Sequence, residues 1–327
     1  MRTGLFCTYE NPRADFRAAY ADQTQLVRRV ETLGFDEAWI AEHHFNPDAS
    51  SASCLSILAH LAARTSCLRL GSAAVLLPLR NPLLVAEDVA TLDILSEGRF
   101  NFGVASGGPF PIQNKHFGVG KDESRDKTLE ALTLIDKLLY EESVSFEGRF
   151  FKTDGVSLAP KPVQTPIPTF VATSTVDTVQ LAAAKDYGIM GAPPFPLEIV
   201  SRNIDLYRKF SPARDPRLIL IRFYHVASTH EQAVAEATVW LRPFIERMKM
   251  TTAAVRPDWT PWFMLDRLID DSLIGTVATI RAKVARIEDE LHPHSLILKP
   301  MSPEFSKRES DLELFAREIR PAFAAAA

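Results

Sequence analysis

Cysteine is scarce in this chain: three residues in 327, Cys7, Cys54 and Cys67, an odd count with no CxxC pair. That excludes a disulfide framework or a zinc knuckle and points to a reducing, cytoplasmic setting. Long apolar runs are missing too. No stretch of about 18 uncharged apolar residues occurs, so no membrane-spanning helix is expected. The opening MRTGLFCTYENP turns polar too soon for a secretory leader. No Lys/Arg block is present and the formal net charge is −4. Nucleic acid binding needs a clustered basic surface to neutralise phosphates, so none is expected. Nor does a G-x-G-x-x-G follow the first apolar segment. The glycines Gly103 and Gly107-Gly108 have the wrong spacing for a dinucleotide fingerprint, which argues against a Rossmann dehydrogenase.

What is there is ordinary in bulk and regular in order. Hydrophobic residues make up 46% and charged residues 24%, the balance of a soluble globular protein with a sizeable core. Short apolar segments alternate with amphipathic ones. Strands are expected at 3–9, 35–42, 68–77, 99–106, 169–174, 189–194, 218–227 and 295–300. Helices are expected at 16–34, 53–65, 82–98, about 124–140, 176–187, 196–210 and 229–249, then at 276–291 and 310–323. Asn81-Pro82 and Gly98 bracket the third helix in the usual asymmetric way. Eight strands each followed by a helix favour an α/β fold of the (β/α)8 TIM-barrel type over a doubly wound sheet. The expected organisation is a single domain over 1–327. It carries an insertion after strand four at about 107–166 and an irregular segment at about 251–272. The final AFAAAA reads as a fraying helix end.

In such a barrel the chemistry lies at the C-terminal ends of the strands. Those ends are poor in nucleophiles and carboxylates. Glu42 stands nearly alone, and a glycosidase needs two facing carboxyl groups. The stretch AEHHF at 41–45 is the richest. Side chains alternate along a strand, so Glu42 and His44 share one side and His43 takes the other. Three ligands on one metal ion are then awkward, and no metal is expected. Two readings remain from the residues: a strand end with one histidine hydrogen-bonded to Glu42, or a histidine facing the barrel mouth as a proton-transfer group. His225 closes strand seven and is a second candidate. TSTVD at 173–177 opens a helix; Ser174 and Asp177 suit either a cap or a phosphate cradle. Arg125, in the insertion, could serve such a phosphate.

Three blocks in order, GFDEAWIAEHHF, LRLGSAAVLLPLRNPLLVAEDVATLDILSEGRFNFGVASG and FGVGKDESR, resemble the bacterial luciferase-like flavin monooxygenases over about residues 33–125. PIPTFVATST and LIGTVATIRAKV extend the likeness more loosely. The resemblance implies a (β/α)8 barrel with an insertion after strand four that binds reduced FMN at its strand ends. It implies that His43 is the catalytic proton-transfer histidine. Ala41 and Glu42 would lie beside the flavin ring, and Ala73-Ala74 would carry a non-proline cis peptide beneath it. Arg125 would bind the phosphate, with Val171, Ala172 and Ser174 lining flavin and phosphate. Ser106 is a further cofactor-side position, where luciferase has an arginine; Asp177 replaces a threonine, and Ala105 a reactive cysteine. No useful bioluminescence is expected.

The leading expectation is a two-component monooxygenase. It would take reduced FMN from a separate flavin reductase and use O2 to oxygenate a small organic substrate, with 251–272 and the insertion as lids. The alternatives are a deazaflavin-dependent hydride-transfer enzyme and a non-catalytic flavin-binding or partner subunit. The resemblance also implies a homodimer or heterodimer through the first helices.

Overall fold

The computed structural model describes residues 1–108, 111–120, 123–173, 175–253 and 256–323. Ser174, Pro109 and the last four alanines of the sequence-stretch AFAAAA lie outside the described residues. Eight parallel strands close on themselves: β1 (Arg2–Cys7), β2 (Glu37–Ile40), β3 (Arg69–Ser72), β4 (Phe100–Ala105), β5 (Thr169–Ala172), β6 (Gly188–Gly191), β7 (Leu218–Val226) and β8 (Ser295–Pro300). Each pairs with the next, and β8 returns to β1 through Thr3–Leu296 and Gly4–Ile297. This is the (β/α)8 barrel expected from the alternation.

The strands read as near-continuous apolar runs because both faces are covered. One face packs on the surrounding helices: α1 (Phe16–Thr32), α2 (Cys54–Ala62), α3 (Pro82–Leu95), α4 (Ser124–Tyr140), α5 (Val176–Lys185), α6 (Leu197–Phe210), α7 (His230–Thr252), α8 (Val277–Leu291) and α9 (Phe305–Leu314). The other face fills the barrel. Trp39, Phe170, Met190, Ile219, Ile221 and Ile297 form that plug, with Trp39 edge-on to Phe170 at 5.3 Å between ring centres. Asp15 caps α1 by accepting from the Ala18 N–H at 3.1 Å, and Asn81 caps α3 from the Leu83 N–H at 2.9 Å. Both occupy orphan donors of a first helical turn.

Several expected boundaries move. Strand three does not run from 68 to 77. It stops at Ser72, the chain steps across at Ala73-Ala74, and Val75–Leu76 resumes pairing with Val104–Ala105. Ser72 causes the break: its hydroxyl donates to the Gly103 carbonyl at 2.8 Å and accepts the Gly103 N–H at 2.9 Å, taking the place of a ladder. Only glycine fits opposite, since a Cβ on Gly103 would stand 1.9 Å from the Ser72 carbonyl oxygen. Irregularity at 251–272 is also overstated. There α7 continues to Thr252, Pro257–Trp262 forms a 3-10 turn and Leu265–Asp270 a short helix. Leu273–Gly275 then adds a strand to β7. Phe263 and Leu268 supply the reason, being buried against Phe223 and Ile274. The insertion holds a short helix, Pro111–His116, ahead of α4, and a hairpin, Val144–Glu147 with Lys152–Val156.

Candidate active site

Strand parity places the AEHHF stretch. Trp39 points into the barrel while Ala38 and Ile40 pack on the helices, so the alternation sends His43 inward and Glu42 outward. The Glu42 carboxylate is buried. Its Oε1 meets His44 Nε2 at 2.8 Å, and the Arg80 Nε donates to it at 3.1 Å. Its Oε2 accepts from the Cys54 thiol at 3.2 Å and the Leu76 N–H at 3.4 Å. Burial alone would raise its pKa; the His44 hydrogen bond and the Arg80 charge outweigh that and hold it below the usual carboxylate range. Glu42 and His44 therefore brace the strand end, one of the two readings the residues allowed.

His43 lines a cavity of about 660 Å³ at the barrel mouth, together with Lys299, Phe223, Trp240, Phe244 and Met248. Its backbone N–H donates to Ser51 at 3.3 Å, and no described residue hydrogen-bonds its ring. Burial, then the nearby charges of Lys299 and Arg247, push its pKa down to about 4. It is a neutral imidazole at pH 7, able to accept a proton.

The opposite half of the mouth is made of small residues. Ala73, Ala74, Ala105 and Ala172 lie on the barrel plug, and the Ala73-Ala74 peptide is cis. Ala41 is buried next to His43, and Ser106 is half-buried just past β4. Val171 points its side chain outward to the helices, so only its backbone can meet a ligand in the mouth. Arg125 and Asp177, at the starts of α4 and α5, form an ion pair at 3.1 Å on the surface. Asp177 does not reach back as a cap. Thr175 is the N-cap of α5, and the Thr173 hydroxyl accepts the Thr175 N–H at 3.0 Å.

Other histidines lie elsewhere. His225 is fully buried between Glu236 at 2.6 Å and Asp311 at 3.5 Å, edge-on to Trp240. His116 packs against Phe45. Among the described residues no group of three or more His, Cys, Asp or Glu could hold a metal ion. No helix of the described residues is long and apolar enough to cross a membrane.

The mouth also holds a lysine at the end of β8 and a carboxylate that a reading of strand ends misses. Lys299 Nζ donates to Glu10 Oε1 at 2.5 Å and to Thr8 Oγ1 at 3.0 Å. Parity with Ile297 on β8 signals that Lys299 points inward. Glu10 sits beyond the end of β1 on the same side as Phe6 and Thr8, and it adds the second carboxylate that the strand ends lacked.

The family model described as luciferase-like monooxygenase matches residues 1–291. Limonene 1,2-monooxygenase of Rhodococcus erythropolis is 28% identical over 331 aligned positions, covering 95% of this chain and 84% of that one. The crystal structure of monooxygenase RslO1 from Streptomyces bottropensis superposes with a TM-score of 0.86 at 26% identity, covering 99% of this chain and 100% of that one. The oxygenating constituent of 3,6-diketocamphane monooxygenase from Pseudomonas putida, solved with FMN, has a TM-score of 0.80 at 17% identity over 100% of this chain and 99% of its own. That last likeness is one of fold.

Proposed function

The chain belongs to the luciferase-like monooxygenases, and from that premise we propose that it is the oxygenase component of a two-component system, working on reduced FMN delivered by a separate flavin reductase. The observation that carries the reading is His43: a neutral histidine with no described partner on its ring, facing a largely apolar cavity. A flat ring system would suit the alanine side of the mouth. Four alanines on the β3–β5 side leave a floor free of bulky side chains. Ala41, Ala73, Ala74 and Ala172 would hold the ring and Ser106 would stand at its edge. Glu42 would act through the strand end it braces. Arg125, with Ser174 and the start of α5, would hold the phosphate, since helix N-termini and arginine both favour it. Bound reduced flavin would supply the electrons that activate O2; the chain's own part is to bind, exclude water and move protons.

His43 is placed to take a proton from the reacting centre and return it. Phe223, Trp240, Phe244 and Met248 keep water from that exchange. The decisive experiment is anaerobic titration with photoreduced FMN, then admission of O2 with a panel of apolar ketones, aldehydes and phenols. Oxygenated product with little hydrogen peroxide supports the reading. Tight binding of a deazaflavin with no binding of FMN overturns it. NADH plus FMN is expected to drive no O2 uptake until a flavin reductase is added.

Two further expectations follow from the geometry. Asp126 at 2.9 Å and Asp177 at 3.1 Å both pair with the arginine meant for the phosphate, so Asp177→Asn removes one of two neutralising charges and should tighten FMN binding by roughly 3-fold, a surface-charge effect that salt erases. Fluorescence quenching titrations at low and high salt check it; equal affinity of variant and wild type at low salt refutes it. The second concerns assembly. α3 exposes Leu84 and Leu95, three turns apart and so on one stripe of the helix. A two-fold antiparallel pairing would set each Leu84 against the partner's Leu95, and self-complementarity of that kind suits a homodimer. Leu84→Lys with Leu95→Lys should shift sedimentation to the monomer.

A further inference from the structure

The barrel mouth has two unlike sides, and the cavity that His43 lines opens on one of them. The alanine floor belongs to β3, β4 and β5. Across the barrel, β7, β8 and β1 contribute Phe223, Lys299 and Thr8, and His43 on the β2 side lies between them in strand order. If the flat cofactor takes the alanine half, as proposed above, the substrate is left with the half that holds Lys299.

Lys299 is costly to place there. Its side chain is only 15% exposed, and burying an ammonium is unfavourable unless its donors are used. It has three N–H donors. Two are engaged, by Glu10 and Thr8; among the described residues no acceptor takes the third. The charge is not cancelled either. Glu10 is shared with a second cation, Arg308, at 3.8 Å, so one carboxylate faces two positive groups. The remaining charged groups of the wall, Arg247 and Asp48, pair with each other at 3.2 Å. His43 is neutral, and His44 is taken up by Glu42. Lys299, Glu10 and Arg308 together therefore keep one unit of positive charge, and Lys299 is the cation of that group that lines the cavity, among aromatic and aliphatic surfaces where charge–charge attraction is strong.

We propose that Lys299, held by Glu10 and Thr8, receives the polar end of the substrate, and that the substrate is an aromatic or otherwise apolar molecule bearing one anionic oxygen, such as a phenolate, enolate or carboxylate. This rests on the oxygenase reading for the cofactor's side of the mouth. Thr8 and Glu10 are positioning residues: they fix the ammonium and leave one N–H toward the ligand. A neutral hydrocarbon would leave the third Lys299 N–H without an acceptor.

The probe is 4-nitrophenol, whose visible spectrum separates phenol from phenolate, with 4-nitroanisole as its neutral counterpart. Wild-type protein is expected to bind the phenolate at least about tenfold more tightly than the anisole, the scale of one charge-assisted hydrogen bond. Lys299→Met should abolish that preference while anisole binding stays as in wild type, which also shows that the variant is folded. Lys299→Arg should retain most of it. Equal preference in wild type and Lys299→Met, or no phenolate binding to wild type, overturns the assignment. Reduced-FMN binding is measured on the same samples. Phenolate preference without FMN binding refutes the oxygenase reading and leaves the cation site standing; FMN binding without phenolate preference does the reverse.

Discussion

His43→Ala should lower the yield of oxygenated product by about 100- to 10,000-fold, the usual worth of a positioned proton-transfer group, while the chain folds and binds reduced FMN as before. The ring makes no hydrogen bond to a described side chain, so its removal leaves no buried partner orphaned. O2 uptake should continue but end as hydrogen peroxide, because reduced flavin still passes its two electrons to O2 when no oxygen atom is transferred to substrate. Product quantified by mass spectrometry against peroxide checks this, and a loss below about tenfold refutes the assignment. The pH dependence has a definite sign. With a pKa near 4, His43 stays a proton acceptor through pH 5, where an unperturbed imidazole would be charged. Arg247→Gln removes one of the charges that disfavour imidazolium, so the midpoint of the His43 NMR titration should rise. Stability follows the same linkage. Between about pH 4 and 6.5 the unfolded chain binds the proton and the folded one does not, so stability falls as pH falls through that window. His294, pushed down to about 4 by burial and then by Arg2 and Arg217, contributes the same trend. His43→Ala should remove part of the slope and leave the His294 part.

The barrel was largely legible because its signals are local. Strands β4 to β8 are short apolar runs bounded by glycine, proline or polar turns, and helix starts such as Asn81-Pro82 carry their own caps. Strand parity also separated His43 from Glu42 and His44, since a period of two needs no tertiary information. Site roles that depend on partners distant in sequence were less accessible. The break in β3 is made by Ser72 bonding to Gly103, 31 residues away. Lys299 meets Glu10 across 289 residues. Asp177 is a plausible helix cap by spacing, yet Arg125 draws it elsewhere. The order of the 256–275 segment comes from burying Phe263 and Leu268 under α7; PDWTPWF shows no period that would announce it.

Glu42→Ala should be the most destabilising single change near the site, by about 3–5 kcal/mol, the cost of removing one partner of a buried ion pair. The Glu42 side chain is fully buried, at 0% exposure. Without it, Arg80, whose side chain is 23% exposed, loses its counter-ion, and the Leu76 N–H and Cys54 thiol lose their acceptor. A loss of that size is a large share of the roughly 5–15 kcal/mol that holds a typical domain together. Glu42→Gln loses the charge and turns one acceptor oxygen into a donor, but it keeps the other oxygen for those donors and leaves no cavity, so it should cost less than alanine. Urea unfolding at pH 7 measures both, and a Glu42→Ala loss under about 1 kcal/mol contradicts the account. The pH sign is opposite in origin to that of His43 but equal in direction. Glu42 has a depressed folded pKa, so its contribution is fully present above the unfolded value and is lost as pH falls through the folded one. The consequence reaches the chemistry through position. The carboxylate ties the end of β2 to the chain leaving Ala73-Ala74 and to the start of α2, so it holds His43 and the alanine floor in one frame. In Glu42→Gln the folded fraction at 20 °C should remain near that of wild type while the ratio of product to peroxide falls, because a misplaced acceptor loses rate before the barrel loses stability.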